Sequence, residues 1–227
     1  MTPAKLNFDL KKNHRITFLT GAGVSAESGI PTFRGVKGLW EKVDVQKLAT
    51  PEGFEEDPKL VWEWYNTRRQ SMGECSPNNA HNTCVKLEKS GYDVQVVTQN
   101  IDGLHNLSGS ENVLELHGNI WKVRCTRNCG VWIDRTVPFP DLPPLCACGS
   151  YLRPHVVWFG EMLDEKILAT AFMRISNTDL CIVAGTSGIV YPAAGMAEMA
   201  RNEGAYVIEI NLEATPLSQV AHQSFFG

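Results

Sequence analysis

The chain has 227 residues, of which 43% are apolar, and this is enough hydrophobic material for a folded protein with a sizeable core. Its formal net charge of −4 lacks the positive excess that drives sequence-independent nucleic-acid binding, so we expect no direct nucleic-acid partner. No apolar stretch reaches the ~20 residues of a membrane span, and the charged N-terminus lacks a signal-peptide core, so we expect a cytoplasmic protein without membrane contact.

Short apolar runs typical of buried strands alternate with helical patterns along the chain. Each run ends in a glycine turn or in a cluster of small or polar residues. The predicted strands are 15–20, 93–98, 112–116, 179–184 and 205–210, and the predicted helices are 58–72, 79–89, 164–175 and 192–203. This alternation predicts an α/β fold with a Rossmann-like parallel sheet, covered on both faces, that binds its ligand at the carboxyl ends of the strands.

The turn after the first strand, Gly21-Ala22-Gly23-Val24-Ser25-Ala26, has the G-x-G-x-x-A form of a dinucleotide-binding loop. A purely structural turn is the alternative, and the preceding strand favours the binding loop. Gly29-Ile30-Pro31 ends the next helix after about two turns, so an ordinary dehydrogenase unit does not form. Glu213, directly after the 205–210 strand, offers a substitute acid. These features indicate a dinucleotide bound without hydride transfer.

Four of the seven cysteines lie close together in the sequence. They are Cys125, Cys129, Cys146 and Cys148. In a reducing compartment such a cluster favours a metal site over disulfides, and four thiolates suit one tetrahedral zinc ion with no position left for substrate. The zinc would therefore be structural. Four reduced free thiols remain the alternative, because the C-x3-C and C-x-C spacings depart from the common C-x2-C pairs.

Two stretches interrupt the alternation of strands and helices. Residues 36–75 are helical and rich in tryptophan, and residues 119–153 hold the cysteines and a run of prolines. We expect these two stretches to build a smaller lobe, the first as a helical insertion and the second as a zinc ribbon. The large Rossmann-like domain would then consist of residues 1–35, 76–118 and 154–227.

Several motifs, taken together, resemble one protein family. They are the glycine turn, Gly29-Ile30-Pro31-Thr32-Phe33-Arg34-Gly35, Thr98-Gln99-Asn100-Ile101-Asp102-Gly103-Leu104-His105, His117-Gly118-Asn119, Val156-Val157-Trp158-Phe159-Gly160-Glu161, Gly185-Thr186-Ser187 and Asn211-Leu212-Glu213. Over nearly the whole chain they resemble the sirtuins, which are NAD-dependent protein lysine deacylases. The resemblance implies NAD as cofactor, one structural zinc ion, an acylated lysine of a protein as substrate, and nicotinamide and O-acyl-ADP-ribose as products.

The resemblance also implies roles for the matching residues. His117 would be the general base, because a neutral histidine has a pKa near operating pH, and Asn100 would share in catalysis. Phe33 would shield the reactive sugar from returning nicotinamide, and Arg34 would lie on the phosphate side. The other cofactor residues would be Gly21, Ala22, Gly23, Ser25, Gln99, Asn100, Ile101, Asp102, Gly185, Thr186, Ser187, Asn211 and Glu213.

Tyr65 and Arg68 lie three positions apart on the 58–72 helix, so they share one face. A guanidinium can bind a carboxylate bidentately, a phenol can add a hydrogen bond, and the small Ala49 leaves room for a longer acyl chain. This trio resembles the desuccinylase and demalonylase branch of the sirtuins. A stacked Tyr–Arg pair on an amphipathic helix is the alternative interpretation.

We expect the substrate peptide to pair as an extended strand between two loops. Those loops hold Val157, Phe159, Gly160, Glu161, Gly188 and Val190. Two other functions stay open at this point: an ADP-ribosyltransferase that uses the same cofactor site, and a non-catalytic module that senses NAD. The presence of both Asn100 and His117 argues against the sensor, because a sensor needs no general base.

Overall fold

The computed structural model describes residues 5–32 and 44–227. The strands of the described residues are β1 (Arg15–Thr20), β2 (Asp93–Thr98), β3 (Val113–Glu115), β4 (Gly118–Cys125), β5 (Val131–Ile133), β6 (Leu152–Val156), β7 (Leu180–Ala184), β8 (Tyr206–Asn211) and β9 (Gln223–Phe226). Their helices are α1 (Val45–Leu48), α2 (Pro51–Glu56), α3 (Pro58–Gly73), α4 (Asn79–Lys89), α5 (Leu104–Ser108), α6 (Glu165–Ser176) and α7 (Ala193–Asn202), with 3-10 helices at Ala22–Ser28 and Pro216–Gln219.

Six strands form one parallel sheet in the order β3-β2-β1-β7-β8-β9. From β1 the chain adds strands first on one side, through β2 and β3, and then on the other side, through β7, β8 and β9. The strand order therefore reverses between β1 and β7, and a crevice opens there at the carboxyl ends of the strands. This confirms the predicted α/β fold with a Rossmann-like sheet.

Helices cover both faces of the large sheet because successive side chains of a strand point to opposite faces. Ile16 and Phe18 of β1 pack on the α4 face beside Cys84. Leu19 points to the other face, where Ala171 of α6 and Ala197 of α7 close the core. Fully buried parallel strands have this two-sided apolar character, and it leaves the strand ends as the place for polar chemistry.

A second, three-stranded antiparallel sheet has the order β5-β4-β6 and packs against α3. The helix begins at the Asp57 cap, whose side chain accepts the Leu60 amide. Its buried Trp62 donates through Nε1 to the Leu152 carbonyl at 2.7 Å. Arg69, fully buried, donates to the carbonyl oxygens of Ile120, Asp134 and Thr136. These contacts hold the helix on the small sheet.

The predicted helices and parallel strands appear in the structure with ends that are identical or shifted by one residue. The 3-10 helix after the glycine turn is as short as predicted, because Gly29 ends it in the left-handed region at φ +90°. The sequence analysis missed β9, α5 and the strands of the small sheet, which are short or interrupted by turns. No helix of the described residues has the length and apolar character needed to cross a membrane.

Candidate active site

The glycine turn lies against the end of β7, at the point where the strand order reverses. Gly21 donates its amide to the Ala184 carbonyl at 3.0 Å, and Gly23 donates to the Gly185 carbonyl at 2.8 Å. A Cβ on Gly23 would lie 2.7 Å from the Gly185 Cα atom, which no side chain tolerates. Glycine is therefore required here by the close approach of two strand ends.

A buried polar network fills the space beneath this turn. Asn100 donates from Nδ2 to the Gly21 carbonyl at 3.0 Å and to the Ser25 hydroxyl at 3.2 Å. The Ser25 hydroxyl in turn donates to Oδ2 of Asp102 at 2.7 Å. All three side chains are nearly inaccessible to water, with Ser25 at 0% exposure, and each is held by a hydrogen bond. The network thus fixes an amide and a carboxylate in one orientation.

Two buried histidines support this network from behind. His81 lies with Nδ1 3.2 Å from the Asn78 amide nitrogen and with Nε2 3.4 Å from the Ser25 hydroxyl. The ring of His105 meets that of His81 edge to face, and its Nε2 contacts the Thr20 hydroxyl at 3.1 Å. Burial lowers the pKa of His105 to about 3, so both rings are neutral at pH 7.

His117 lies just before β4 and contacts the end of β2. Its Nδ1 donates to the main-chain carbonyl of Gln99 at 2.9 Å. Because a carbonyl oxygen only accepts, this contact places the proton on Nδ1 and leaves the lone pair on Nε2. Burial lowers the pKa of His117, and the hydrogen bond to Gln99 opposes that effect. The ring is therefore a neutral base at pH 7.

The ends of β2, β7 and β8 are joined by a further set of polar contacts. Gln99 donates from Nε2 to the Thr186 hydroxyl at 3.0 Å. Asn211 donates from Nδ2 to the Thr186 carbonyl at 2.8 Å. Ser187 is half-buried beside them, and Glu213 is exposed in the loop after β8. The structure thus brings most of the predicted cofactor residues to one edge of the sheet, while Phe33 and Arg34 lie outside the described residues.

The four clustered cysteines come together in a single group beside the small sheet. Their sulfur atoms all lie within 4.8 Å of one another, and those of Cys125 and Cys148 are 3.6 Å apart. A tetrahedron of Zn–S bonds of about 2.3 Å needs sulfur separations of about 3.8 Å. The Arg127 amide donates to the Cys125 sulfur at 3.3 Å, as expected of a thiolate ligand. The arrangement therefore fits one structural zinc ion.

A second polar site lies where α3 faces the loop after β6. Trp158 donates from Nε1 to the Tyr65 hydroxyl oxygen at 2.8 Å, and both side chains are buried. The Arg68 guanidinium lies 4.7 Å from the Trp64 ring centre and 5.9 Å from that of Tyr65. Burial raises the pKa of Tyr65 and lowers that of Arg68, and each remains in its usual protonation state at pH 7. The two residues therefore form a stacked phenol–guanidinium pair.

The loop after β6 is held by main-chain contacts and by ion pairs. Phe159 donates its amide to the Ala49 carbonyl at 2.9 Å, and Val157 donates to the His117 carbonyl at 3.0 Å. The Glu161 carboxylate accepts from Arg124 and Arg153 at 2.7 Å each and from the Trp158 amide at 2.8 Å. Glu161 therefore stabilises the loop with its side chain.

The predicted peptide-binding residues belong to two loops, 157–161 and 188–190. Gly160 and Gly188 both have left-handed φ values, +86° and +67°, and Val190 is half-buried. The side chains of Phe159 and of Tyr191, which follows the second loop, are 48% and 77% exposed. Both loops therefore carry an exposed aromatic group within or beside them.

Three residues that organise the site were not singled out by the sequence analysis. Arg153, a residue of β6, places its guanidinium 3.3 Å from the centre of the Trp158 ring and pairs with Glu161. His81 follows Asn78 by three residues, and this capping-box spacing was its one sequence signal. Trp158 lies within a quoted motif, whereas no pattern in the sequence marks Arg153.

Comparisons with known proteins give the family context. Residues 21–192 match the model of the Sir2 family. The chain is 50% identical to an NAD-dependent protein deacylase of Aquifex aeolicus (strain VF5), over 94% of this chain and 90% of the relative. Its structure resembles that of a Sir2 homologue bound to NAD, with a TM-score of 0.88, 44% identity and coverage of 95% and 85% of the two chains. It also resembles a mutant Sir2 homologue bound to 2′-O-acetyl-ADP-ribose, with a TM-score of 0.87, 45% identity and coverage of 94% and 86%.

Proposed function

The chain belongs to the Sir2 family and is an NAD-dependent protein deacylase, and on this premise we propose which residues carry the reaction and which acyl groups are removed. NAD supplies the electrophilic ribose carbon and nicotinamide as leaving group, and the acyl group ends on ADP-ribose. The observation that carries the assignment is the hydrogen bond from Nδ1 of His117 to the main-chain carbonyl of Gln99, the residue before Asn100, because this bond leaves Nε2 unprotonated.

His117 acts as the general base toward a ribose hydroxyl. The hydrogen bond from Nδ1 to Gln99 fixes the tautomer, so Nε2 is ready to take a proton without a prior rearrangement. Because burial lowers the pKa of His117, the base stays neutral at and below pH 7. A positioned base of this kind contributes about 10²- to 10⁴-fold to the rate.

Asn100, Ser25 and Asp102 hold the nicotinamide end of the cofactor. Their mutual hydrogen bonds orient the Asn100 amide and the Asp102 carboxylate before any ligand binds, which lowers the entropic cost of binding. The residues at the ends of β7 and β8 then serve the other half of the dinucleotide. They are Gly185, Thr186, Ser187, Asn211 and Glu213.

Acyl groups that end in a carboxylate, such as succinyl and malonyl, are the further substrates that we propose beside acetyl. Tyr65 receives the Trp158 N–H on its oxygen, and this contact leaves the phenol proton for donation to a carboxylate. The Arg68 guanidinium beside it supplies the positive charge in a half-buried position, where such a pair is stronger than at the surface. Ala49 is buried and contacts the loop after β6 through its carbonyl. Its small side chain leaves room for a longer acyl chain.

The acylated lysine enters on an extended peptide that pairs with two loops, one at residues 157–161 and one at 188–190. The ion pairs of Glu161 and the amide contact of Phe159 with Ala49 hold the first loop in place before the peptide arrives. Recognition through main-chain hydrogen bonds reads little side-chain sequence, so we expect loose selection among target proteins. We also propose a cytoplasmic location, where the zinc-binding thiolates stay reduced.

The acyl preference is tested by Arg68→Met on peptides of one sequence that carry either acetyl-lysine or succinyl-lysine. Nicotinamide release and the change in peptide mass are followed with each peptide. We expect kcat/KM for the succinyl peptide to fall about 10²-fold, because a charge-assisted bidentate contact is lost, while deacetylation stays within about threefold.

The control is Lys59→Met, which removes an exposed cation from the same helix and should change neither activity. An equal loss of both activities in Arg68→Met would contradict the acyl assignment. Release of nicotinamide without any acylated peptide would contradict the deacylase reaction itself.

A further inference from the structure

We propose that Trp121 is a positioning residue for nicotinamide binding: its indole N–H, which comes from the zinc-bearing small sheet, fixes the Asp102 segment. The inference rests on the proposed role of Asp102 at the nicotinamide end of the cofactor. Trp121 is a buried residue of β4, and its Nε1 donates to the main-chain carbonyl of Asp102 at 2.7 Å. The neighbouring Ile120 amide donates to the Ile101 carbonyl at 2.8 Å.

These two hydrogen bonds make β4 a brace for residues 101–102. The Asp102 side chain is held separately, since Oδ2 accepts from Ser25 at 2.7 Å and Oδ1 accepts the Leu104 amide at 2.8 Å. The indole therefore acts on the main chain of the residue whose carboxylate belongs to the site. Its influence on the site therefore passes through the backbone of Asp102.

Two small cavities border the Asp102 segment, so packing leaves room beside it. One is lined in part by Ser25 and Asn100. The second is lined in part by Cys75 and Trp121. Asp102 borders both. An unbraced Asp102 segment has room to shift toward the second cavity, and its carboxylate would then leave the position set by Ser25.

Trp121 is itself firmly placed. Its amide donates to Oδ1 of Asn119 at 2.8 Å. Two guanidinium groups lie near its ring, that of Arg69 at 5.4 Å and that of Arg135 at 5.2 Å from the ring centre. Next to Asp102, Gly103 turns the chain in the left-handed region at φ +75° and brings it against the edge of the indole. The hydrogen bond from Trp121 to Asp102 therefore joins a firmly held indole to the Asp102 segment and fixes the distance between them.

The experiment compares Trp121→Phe with Trp132→Phe. The first variant removes the N–H donor and keeps an aromatic ring, and the second makes the same change at an exposed tryptophan of the neighbouring strand β5. For each variant the inhibition constant of nicotinamide, the KM of the acetyl peptide, the zinc content and the thermal unfolding temperature are measured. We expect nicotinamide to bind about fivefold more weakly to Trp121→Phe, which corresponds to the loss of one hydrogen bond. Its peptide KM and zinc content should stay unchanged, and Trp132→Phe should match the wild type.

Unchanged nicotinamide inhibition in a less stable Trp121→Phe would overturn the inference and make Trp121 a purely structural residue. Asp102→Asn separates this failure from that of the proposed function. If Asp102→Asn weakens nicotinamide binding and Trp121→Phe does not, only the inference on Trp121 is wrong. If Asp102→Asn has no effect, the assignment of the nicotinamide end is wrong.

A second measurement uses the wild-type protein and covers the case in which Trp121→Phe does not fold. The assigned indole N–H resonances of Trp121 and Trp132 are followed by NMR while nicotinamide is titrated in the presence of ADP-ribose. We expect the Trp121 resonance to shift with saturation and the Trp132 resonance to stay in place. A Trp121 resonance that does not respond would overturn the inference.

Discussion

The two polar networks of this enzyme are built in different ways. The network on the cofactor side joins Asn100, Ser25 and Asp102 by short hydrogen bonds at the ends of neighbouring strands. The network on the proposed acyl side joins Tyr65 of a helix to Trp158 of a distant loop through a hydrogen bond and an aromatic contact. Glu161 of the same loop is held by ion pairs. The first is placed by the backbone of one sheet, and the second by side chains that connect separate elements.

This difference has a functional consequence. Strand ends are rigid because each strand is bonded to its neighbours, so the geometry of the reacting groups is the same whatever acyl group is bound. The proposed acyl pocket depends on a few side chains that belong neither to the large sheet nor to His117. Substitutions there should change which acyl group is removed and leave the chemistry intact, whereas substitutions on the cofactor side should affect all substrates alike.

The largest effect is expected for His117→Ala. Loss of the base should lower kcat for acetyl and succinyl peptides by the same factor, about 10²- to 10⁴-fold, while NAD binding by calorimetry stays within a few-fold. In the wild type, the base works only when neutral, and burial lowers the pKa of His117 below its ordinary value of 6.5. The acidic limb of the kcat profile should therefore lie below pH 6.5, and this limb should vanish in the variant. Unequal losses for the two peptides would show that His117 also affects the choice of acyl group, which would contradict the separation of the two networks.

A smaller and selective effect is expected for Tyr65→Phe. The succinyl peptide should lose about tenfold in kcat/KM, because one hydrogen bond to the carboxylate disappears, and the acetyl peptide should lose less. The change also leaves the buried N–H of Trp158 without its acceptor, so the free energy of unfolding should fall by about 1–3 kcal/mol.

The double variant Tyr65→Phe/Trp158→Phe separates these two effects. Removing both partners should restore part of the stability, since no buried donor is then orphaned, but it should not restore succinyl activity. Denaturant unfolding and the two-peptide assay give the two readouts. Recovery of succinyl activity in the double variant would show that Tyr65 acts on the loop and not on the acyl carboxylate.

The smallest effect is expected for Arg124→Gln. Its guanidinium is one of two that pair with Glu161, its side chain is 33% exposed, and Arg153 keeps the carboxylate paired. Partly exposed pairs are worth about 1 kcal/mol or less, so the peptide KM should rise by no more than about fivefold, for both acyl groups alike. A rise in KM for the succinyl peptide alone would place Arg124 in the acyl pocket and would contradict its assignment to the loop.

Several features of the fold followed from local sequence patterns. The strands 15–20 and 93–98 were predicted with their observed ends, because a short run rich in β-branched and apolar residues that stops at small or polar residues has few alternatives. The helix that holds Tyr65 and Arg68 followed from its pattern in the same way. The strands of the small sheet did not, since β5 has three exposed residues and no buried face to pattern it.

The sequence by itself identified the candidate residues of the chemistry: the glycine turn, Asn100, Asp102, His117 and the four cysteines all lie in motifs whose spacing is local. Only the tertiary structure decided how they are held. The proton position on His117 depends on the carbonyl of Gln99 at the end of another strand. The placement of Tyr65 depends on its hydrogen bond with Trp158, and the placement of Asp102 depends on its hydrogen bond with Trp121. Such contacts join residues far apart in the chain, and their energy depends on distances that no linear pattern records.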